Sequence, residues 1–266
     1  MTQAPARILL LGGTGFVGRH VCEKLTRMGS SMTVITRRAN QASAIQNLPR
    51  VTVIEGDVYN LEFLTQCMHK HDVVINLIAI LHGTPAAFEK AHVQLPQVIA
   101  QPCQDSGVHR LIHISALGAS LTGPSEYQRS KARGEEIFKQ AGLELTLLQP
   151  SVIFGKEDKF LNLFAQLQSI TPIVPLAGAN TRFQAVWVED VADAIAQCVF
   201  QQRHRRKNLR ALWPRSFHVA TIGSKIGPMG GHSPRQRPFG FWHTARHGVA
   251  PSLSDGIGTR SALDEP

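Results

Sequence analysis

Ile8-Leu9-Leu10-Leu11-Gly12-Gly13-Thr14-Gly15-Phe16-Val17-Gly18 decides how this 266-residue chain folds. Its four apolar residues read as a buried parallel strand and its glycines as a tight turn. Residues 16–28 continue as a helix, because Val17, Val21, Leu25 and Met28 recur at helical spacing. A strand that runs through glycines straight into a helix gathers free backbone N–H groups and the positive end of the helix dipole at one point, which suits a pyrophosphate. Gly13, Gly15 and Gly18 spell G-x-G-x-x-G, while Gly12, Gly15 and Gly18 spell G-x-x-G-x-x-G. In either frame Gly15 lets the backbone approach phosphate and Gly18 lets the helix pack on the sheet. The stretch predicts a dinucleotide seat built from Gly12, Gly13, Thr14, Gly15, Phe16, Val17 and Gly18.

Residues 32–36 form a second predicted strand, which ends at Arg37-Arg38. In this architecture the residue just past the second strand meets the adenosine ribose, where a carboxylate selects NAD and an arginine accommodates a 2′-phosphate. No acid stands there, so NADP(H) is expected over NAD(H), with Arg37 the first candidate and Arg38 the second. A third strand, residues 51–55, leads to Asp57 and Val58, where an adenine ring could be contacted. Asp57 either accepts from the exocyclic amine or caps a helix over residues 61–68. A fourth strand, residues 72–78, passes through Leu77 and Ala79 into a loop expected to lie under the ribose and nicotinamide. The helical run over residues 88–104 contains Pro96 and Pro102, so a kink or break is expected in it.

Residues 110–115 form a fifth strand with Ser115 at its carboxyl end, where open parallel sheets place their ligands. Tyr127 and Lys131 follow at i and i+4 on a helix, so phenol and ammonium share a face. A free tyrosine titrates near 10, and a nearby ammonium and an oxidised nicotinamide both favour its phenolate. Ser115 would hydrogen-bond a substrate carbonyl while Tyr127 gives or takes the proton and Lys131 holds the ribose hydroxyls. A sixth strand spans residues 143–148, and Asp190 reads as the N-cap of a helix over residues 191–202. Strands alternating with helices predict an α/β fold with a doubly wound parallel sheet.

Composition narrows the partners. The net charge of +9 divides unevenly, with 17 Lys+Arg against 16 Asp+Glu in residues 1–200 and 11 against 3 in residues 201–266. The basicity therefore belongs to the tail, and nucleic acid is not an expected partner of the domain. Cys22, Cys67, Cys103 and Cys198 are scattered without C-x-x-C spacing, so neither a disulfide framework nor a metal site is expected. The apolar run at residues 73–81 is too short to span a bilayer, and residues 1–7 lack the regions of a signal peptide. A cytoplasmic location is the expectation, with attachment to the inner membrane at most peripheral.

At these residues the sequence resembles the short-chain dehydrogenase/reductase superfamily in its extended and atypical branches. The glycine stretch, Ser115, Tyr127, Lys131 and Pro150-Ser151-Val152-Ile153-Phe154-Gly155 carry the likeness. The runs Ile114-Ser115-Ala116-Leu117-Gly118-Ala119 and Ser125-Glu126-Tyr127-Gln128-Arg129-Ser130-Lys131-Ala132-Arg133-Gly134-Glu135 look most like one group. That group holds the nucleotide-binding accessory subunit of respiratory complex I and bacterial relatives of the NAD-dependent epimerase/dehydratase type. The resemblance covers residues 6–202 and implies a bound NADP(H), bordered by Pro150 and Val152 among others, with a substrate pocket over the nicotinamide. It implies either an oxidoreductase or epimerase/dehydratase acting on a carbonyl or alcohol with Tyr127 as acid/base, or a non-catalytic accessory component of complex I or quinone metabolism. The second alternative carries a respiratory-chain or membrane-surface partner.

Where relatives continue into a substrate-binding lobe, residues 203–266 show no useful periodicity and carry Arg203-His204-Arg205-Arg206-Lys207. The expected division is a domain over residues 1–202 and a basic tail over 203–266. Three readings of the tail compete: a disordered segment that binds RNA or anionic lipid, metal capture by His243 and His247, and a shifted frame or other non-native ending that truncates the substrate lobe. The resemblance implies that substrate specificity lies in that lobe.

Overall fold

β1 (Arg7–Leu11) lies near the middle of a seven-stranded sheet, and the computed structural model shows why its run of leucines is unbroken. The structure describes residues 6–158, 182–200, 207–211 and 217–218. Ile8 and Leu10 turn to one face of the sheet, and Leu9 and Leu11 to the other; all four are fully buried. A parallel strand covered on both faces has no solvent side on which to place polar residues. Truncating any of these side chains to alanine would cost about 2–5 kcal/mol.

The chain alternates strand and helix: β1, α1 (Phe16–Arg27), β2 (Ser31–Thr36), β3 (Val51–Glu55), α2 (Leu61–Met68), β4 (Val73–Asn76), α3 (Pro85–Glu89), α4 (Leu95–Ser106), β5 (Arg110–Ile114), α5 (Glu126–Gln140) and β6 (Glu144–Pro150). The short strands β7 (Val152–Phe154), β8 (Arg182–Phe183) and β9 (Ala185–Trp187), the helix α6 (Val188–Phe200), β10 (Lys207–Ala211) and β11 (Phe217–His218) complete the described residues. The main sheet runs β10-β6-β5-β4-β1-β2-β3 and every pairing in it is parallel. Small sheets β7-β9 and β8-β11 stand beside it. On one face Val21, Cys22 and Leu25 of α1 join Val191, Ile195 and Cys198 of α6 over Ile8, Val34, Ile75 and Ile112. On the other, Leu64 and Met68 of α2, Ile99 and Cys103 of α4 and Phe138 of α5 cover Leu9, Ile35, Val74 and Leu111. This is the doubly wound arrangement expected from the alternation.

Several boundaries differ from those read in the sequence, each for a local reason. β4 stops short at both ends because Asp72 turns its carboxylate to Arg7, which donates its N–H at 2.9 Å and a guanidinium N–H at 2.7 Å. At the other end Asn76 Oδ1 takes the Ile78 N–H at 3.1 Å. α6 begins at Val188, so Asp190 lies inside its first turn with Glu189 instead of capping it, where both carboxylates complement the helix dipole. Between α3 and α4 the chain makes a π turn over Lys90–Gln94. Pro96 has no N–H to offer the His92 carbonyl, and the Leu95 N–H bonds instead to the carbonyl of Lys90, five residues back.

The seventh strand lies beyond residue 202. Lys207–Ala211 pairs with Thr146–Pro150 along the open side of β6, so the sheet draws on the stretch expected to stand apart from the domain. Five residues with one leucine carry no readable apolar period; backbone pairing to an existing strand supplies what their pattern lacks. Residues 160–167, whose spacing reads as an amphipathic helix, residues 173–176, which read as an extended segment between prolines, Arg203 to Arg206 and the His243/His247 pair lie outside the described residues.

Candidate nucleotide and substrate site

β1 and α1 meet in a turn whose glycines have separate duties. Gly12 has φ +87°, a left-handed conformation that costs glycine nothing. A Cβ on Gly18 would stand 2.3 Å from the Gly12 carbonyl oxygen, and one on Gly13 would stand 2.7 Å from Val34 Cγ1. These glycines hold helix against turn and turn against β2. Gly15 is the N-cap of α1 and donates to the Gly12 carbonyl at 3.1 Å; a Cβ there would meet only that oxygen, at 3.3 Å. Protein atoms leave the space beside Gly15 open, in front of a helix N-terminus with no acid in its first turn. Such a cradle fits a diphosphate.

Around it the strand order reverses. β2 and β3 lie on one side of β1, and β4, β5 and β6 on the other, so the carboxyl ends of β1 and β4 flank the crevice where this architecture holds ligands. Leu77 crosses that crevice, donating its N–H to the Leu11 carbonyl at 2.9 Å, and Ala79 is exposed beyond it.

At the end of β2, Arg37 and Arg38 are exposed, and their guanidinium groups have no hydrogen bond or ion pair among the described residues. Thr36 Oγ1 accepts the Arg38 N–H at 3.3 Å, and Glu55 accepts the Ala39 N–H at 2.7 Å, which fixes the turn. Burial raises the Tyr59 phenol and Asp57 adds to it, while Arg37 opposes both, so these three groups share one neighbourhood. Asp57 Oδ1 accepts the Tyr59 N–H at 3.0 Å. α2 is capped by Asn60, which accepts the Phe63 N–H at 3.0 Å, so capping is not the role of Asp57. Val58, beside it, is buried in the core.

The third part of the site rides on α5. A reciprocal capping box of Ser125 and Gln128 starts this helix, and Arg133 ties it to Glu89 of α3 at 2.6 Å. Lys131, 2% exposed, donates from Nζ to the Ile114 carbonyl at 2.8 Å. Burial lowers its pKa to about 8 against the pull of Glu135. Ser115 follows Ile114 immediately; its N–H goes to the Leu148 carbonyl at 2.7 Å, and its buried Oγ has no hydrogen-bond partner among the described residues. Tyr127, one turn before Lys131, packs edge-on against Phe88 and His92, with centroids 6.2 and 5.6 Å away. Burial raises its phenol. Pro150 is buried at the end of β6, its carbonyl taking the Leu117 N–H at 2.9 Å, and Val152 is half-buried at the start of β7.

Sequence reasoning missed His92. Its Nε2 accepts the Ile80 N–H at 3.2 Å and its Nδ1 lies 2.9 Å from Ser130 Oγ, with the ring 3% exposed. Its one signal was a histidine four residues before Pro96 in an apolar run. His113 was missed as well: it is buried in β5, with Nδ1 3.2 Å from the Asn76 amide nitrogen.

A glycine turn feeding a helix at the switch point, with a lysine bonded to the carboxyl end of β5, defines a nucleotide-binding α/β domain. Residues 12–202 match the family described as NAD(P)H-binding, and the chain belongs to it. It is 37% identical over 194 residues to NADH dehydrogenase (ubiquinone) 1 alpha subcomplex subunit 9 of Mus musculus mitochondria, covering 70% of this chain and 51% of that protein. It is 28% identical over 193 residues to the ceramide reductase of Caulobacter vibrioides, covering 72% of this chain and 60% of that protein. The chain thus spans about half the length of the curated relatives it matches. Its fold is shared with a dTDP-glucose 4,6-dehydratase from Streptomyces venezuelae solved with NAD, at TM-score 0.74 and 19% identity over 83% of this chain and 80% of that one. Among the described residues no helix is long and apolar enough to cross a membrane.

Proposed function

We propose that the protein is an NADP(H)-dependent reductase of the short-chain dehydrogenase type, acting on a carbonyl or the matching alcohol. The observation that carries this reading is Ser115: a buried hydroxyl without a partner among the described residues, one residue beyond the carbonyl that anchors Lys131. An unsatisfied buried hydroxyl costs about 1–3 kcal/mol and is kept where a ligand atom completes it. The diphosphate rests on the N–H groups at Gly15 to Val17, Arg37 and Arg38 take the 2′-phosphate, Asp57 and Val58 border the adenine, and Leu77, Ala79, Pro150 and Val152 line the path to the nicotinamide. When bound, NADPH supplies a hydride to an electrophilic carbon. Ser115 orients the substrate oxygen, Tyr127 gives it a proton, and Lys131 holds the ribose and the charge that develops on the phenol.

Tyr127→Phe tests this reading with NADPH oxidation across a panel of ketones and aldehydes. The substituted protein should bind NADPH as before and lose turnover by about a hundredfold or more. Equal turnover in both proteins overturns it.

A second reading is a nucleotide-binding component of respiratory machinery, docked on a partner at the inner-membrane surface. It is favoured by the 37% identity to a complex I subunit. Under it Tyr127→Phe has no consequence, whereas loss of NADPH binding weakens assembly with the partner.

A further inference from the structure

Four separate interactions converge on His92. The π turn over Lys90–Gln94 rotates its ring beneath Tyr127. Gly134 of α5 packs so tightly on this turn that a Cβ there would lie 2.1 Å from the His92 carbonyl oxygen, the one Pro96 leaves without its usual donor. From the ring, Nε2 takes the Ile80 N–H in the loop after β4, and Nδ1 faces Ser130. Ser130 Oγ donates in turn to the Tyr127 carbonyl at 3.0 Å.

The geometry points to His92 as a positioning residue that ties the loop after β4 to the tyrosine-bearing turn of α5, and so sets how Tyr127 meets a bound nicotinamide. This rests on the reading of Tyr127 as the acid. The direction of each bond fixes the tautomer. An N–H donor at Nε2 makes that nitrogen the acceptor and leaves the proton on Nδ1, which donates to Ser130, whose hydroxyl passes the chain to Tyr127. Burial and the Lys131 charge lower the His92 pKa to about 3, and the other groups around it, His113 and Lys131, do not disturb a neutral ring at working pH. His92 touches neither hydride nor proton; it joins one side of the cofactor cleft to the other through a rigid ring.

The two nitrogens can be separated by substitution. His92→Gln places Oε1 near the Nε2 position, keeping an acceptor for Ile80 while losing the donor to Ser130; His92→Asn places Nδ2 near the Nδ1 position and does the reverse. The chain has two tyrosines, so in a Tyr59→Phe background the ultraviolet absorbance of phenolate reports Tyr127 alone. Saturating NADP+ should lower the Tyr127 midpoint by about one pH unit or more in that background. His92→Gln and His92→Asn should each lose roughly half of that shift or more, and His92→Leu all of it, with NADP+ still bound as judged by tryptophan quenching. Should His92→Leu fail to fold, the two polar variants carry the test. A full shift in both folded polar variants overturns the inference and leaves the proposed function standing. No shift in the Tyr59→Phe parent removes Tyr127 from the nicotinamide, and the inference falls with that reading.

Discussion

The Lys131 ammonium donates to the Ile114 carbonyl at 2.8 Å, inside the protein and directly before Ser115, whose hydroxyl is unpaired among the described residues. Its pKa is about 8 where an unfolded lysine titrates near 10.4, so between these values the unfolded chain binds more protons and stability rises with pH. Below about pH 8 both states carry the charge and the full burial cost is felt. Burial raises Cys22 and Cys103 to about 12, which works in the opposite sense at higher pH. Comparison with Lys131→Met cancels the thiols. Denaturant unfolding should show wild type gaining on Lys131→Met by roughly 2.5 kcal/mol from pH 8 to pH 10.4; a constant difference would mean Lys131 titrates normally.

Gly15 and Gly18 should behave oppositely under the same change. Gly18→Ala forces a methyl against the Gly12 carbonyl and should cost more than about 3 kcal/mol or prevent folding. Gly15→Ala meets little protein, so its unfolding midpoint should match wild type while NADPH affinity falls about tenfold or more. Calorimetry together with a fluorescence titration reads both, and undiminished affinity in Gly15→Ala would move the diphosphate elsewhere.

Arg37→Ser should weaken NADPH about tenfold and leave NADH unchanged, with Arg38→Ser smaller in the same direction. Titration with both cofactors decides it, and a wild-type preference for NADH would reverse the assignment.

Ser115→Ala deletes a hydroxyl that has no partner among the described residues. Stability should stay level or rise by up to about 1 kcal/mol, since a desolvated polar atom is removed. Reduction of a carbonyl should slow by about tenfold to a hundredfold. A drop in stability would reveal a bond to Ser115 made within the protein.

How much of this was legible in the chain depends on the range of the interactions involved. The strand, turn and helix around Gly12 to Gly18 are set by neighbours in sequence, as are the third strand and α2, whose limits were read correctly. Asn60 displaced Asp57 as the cap because two competing side chains lie three residues apart and only backbone geometry chooses between them. Prolines at 96 and 102 foretold a break, but the π turn and the route from Ile80 through His92 to Tyr127 are tertiary, joining three segments that no local period connects. The bond from Lys131 to the Ile114 carbonyl likewise joins residues 17 positions apart and has no local signal.

β10 leaves one further consequence. By lying along β6 it shields the backbone of a strand rich in buried leucines. A version of the protein cut at residue 202 would keep the whole glycine turn and the tyrosine helix, yet bare that row of amides and carbonyls to any passing chain. Such a shortened protein should retain its ligand chemistry and precipitate, pairing with copies of itself along the side that residues 207–211 now seal.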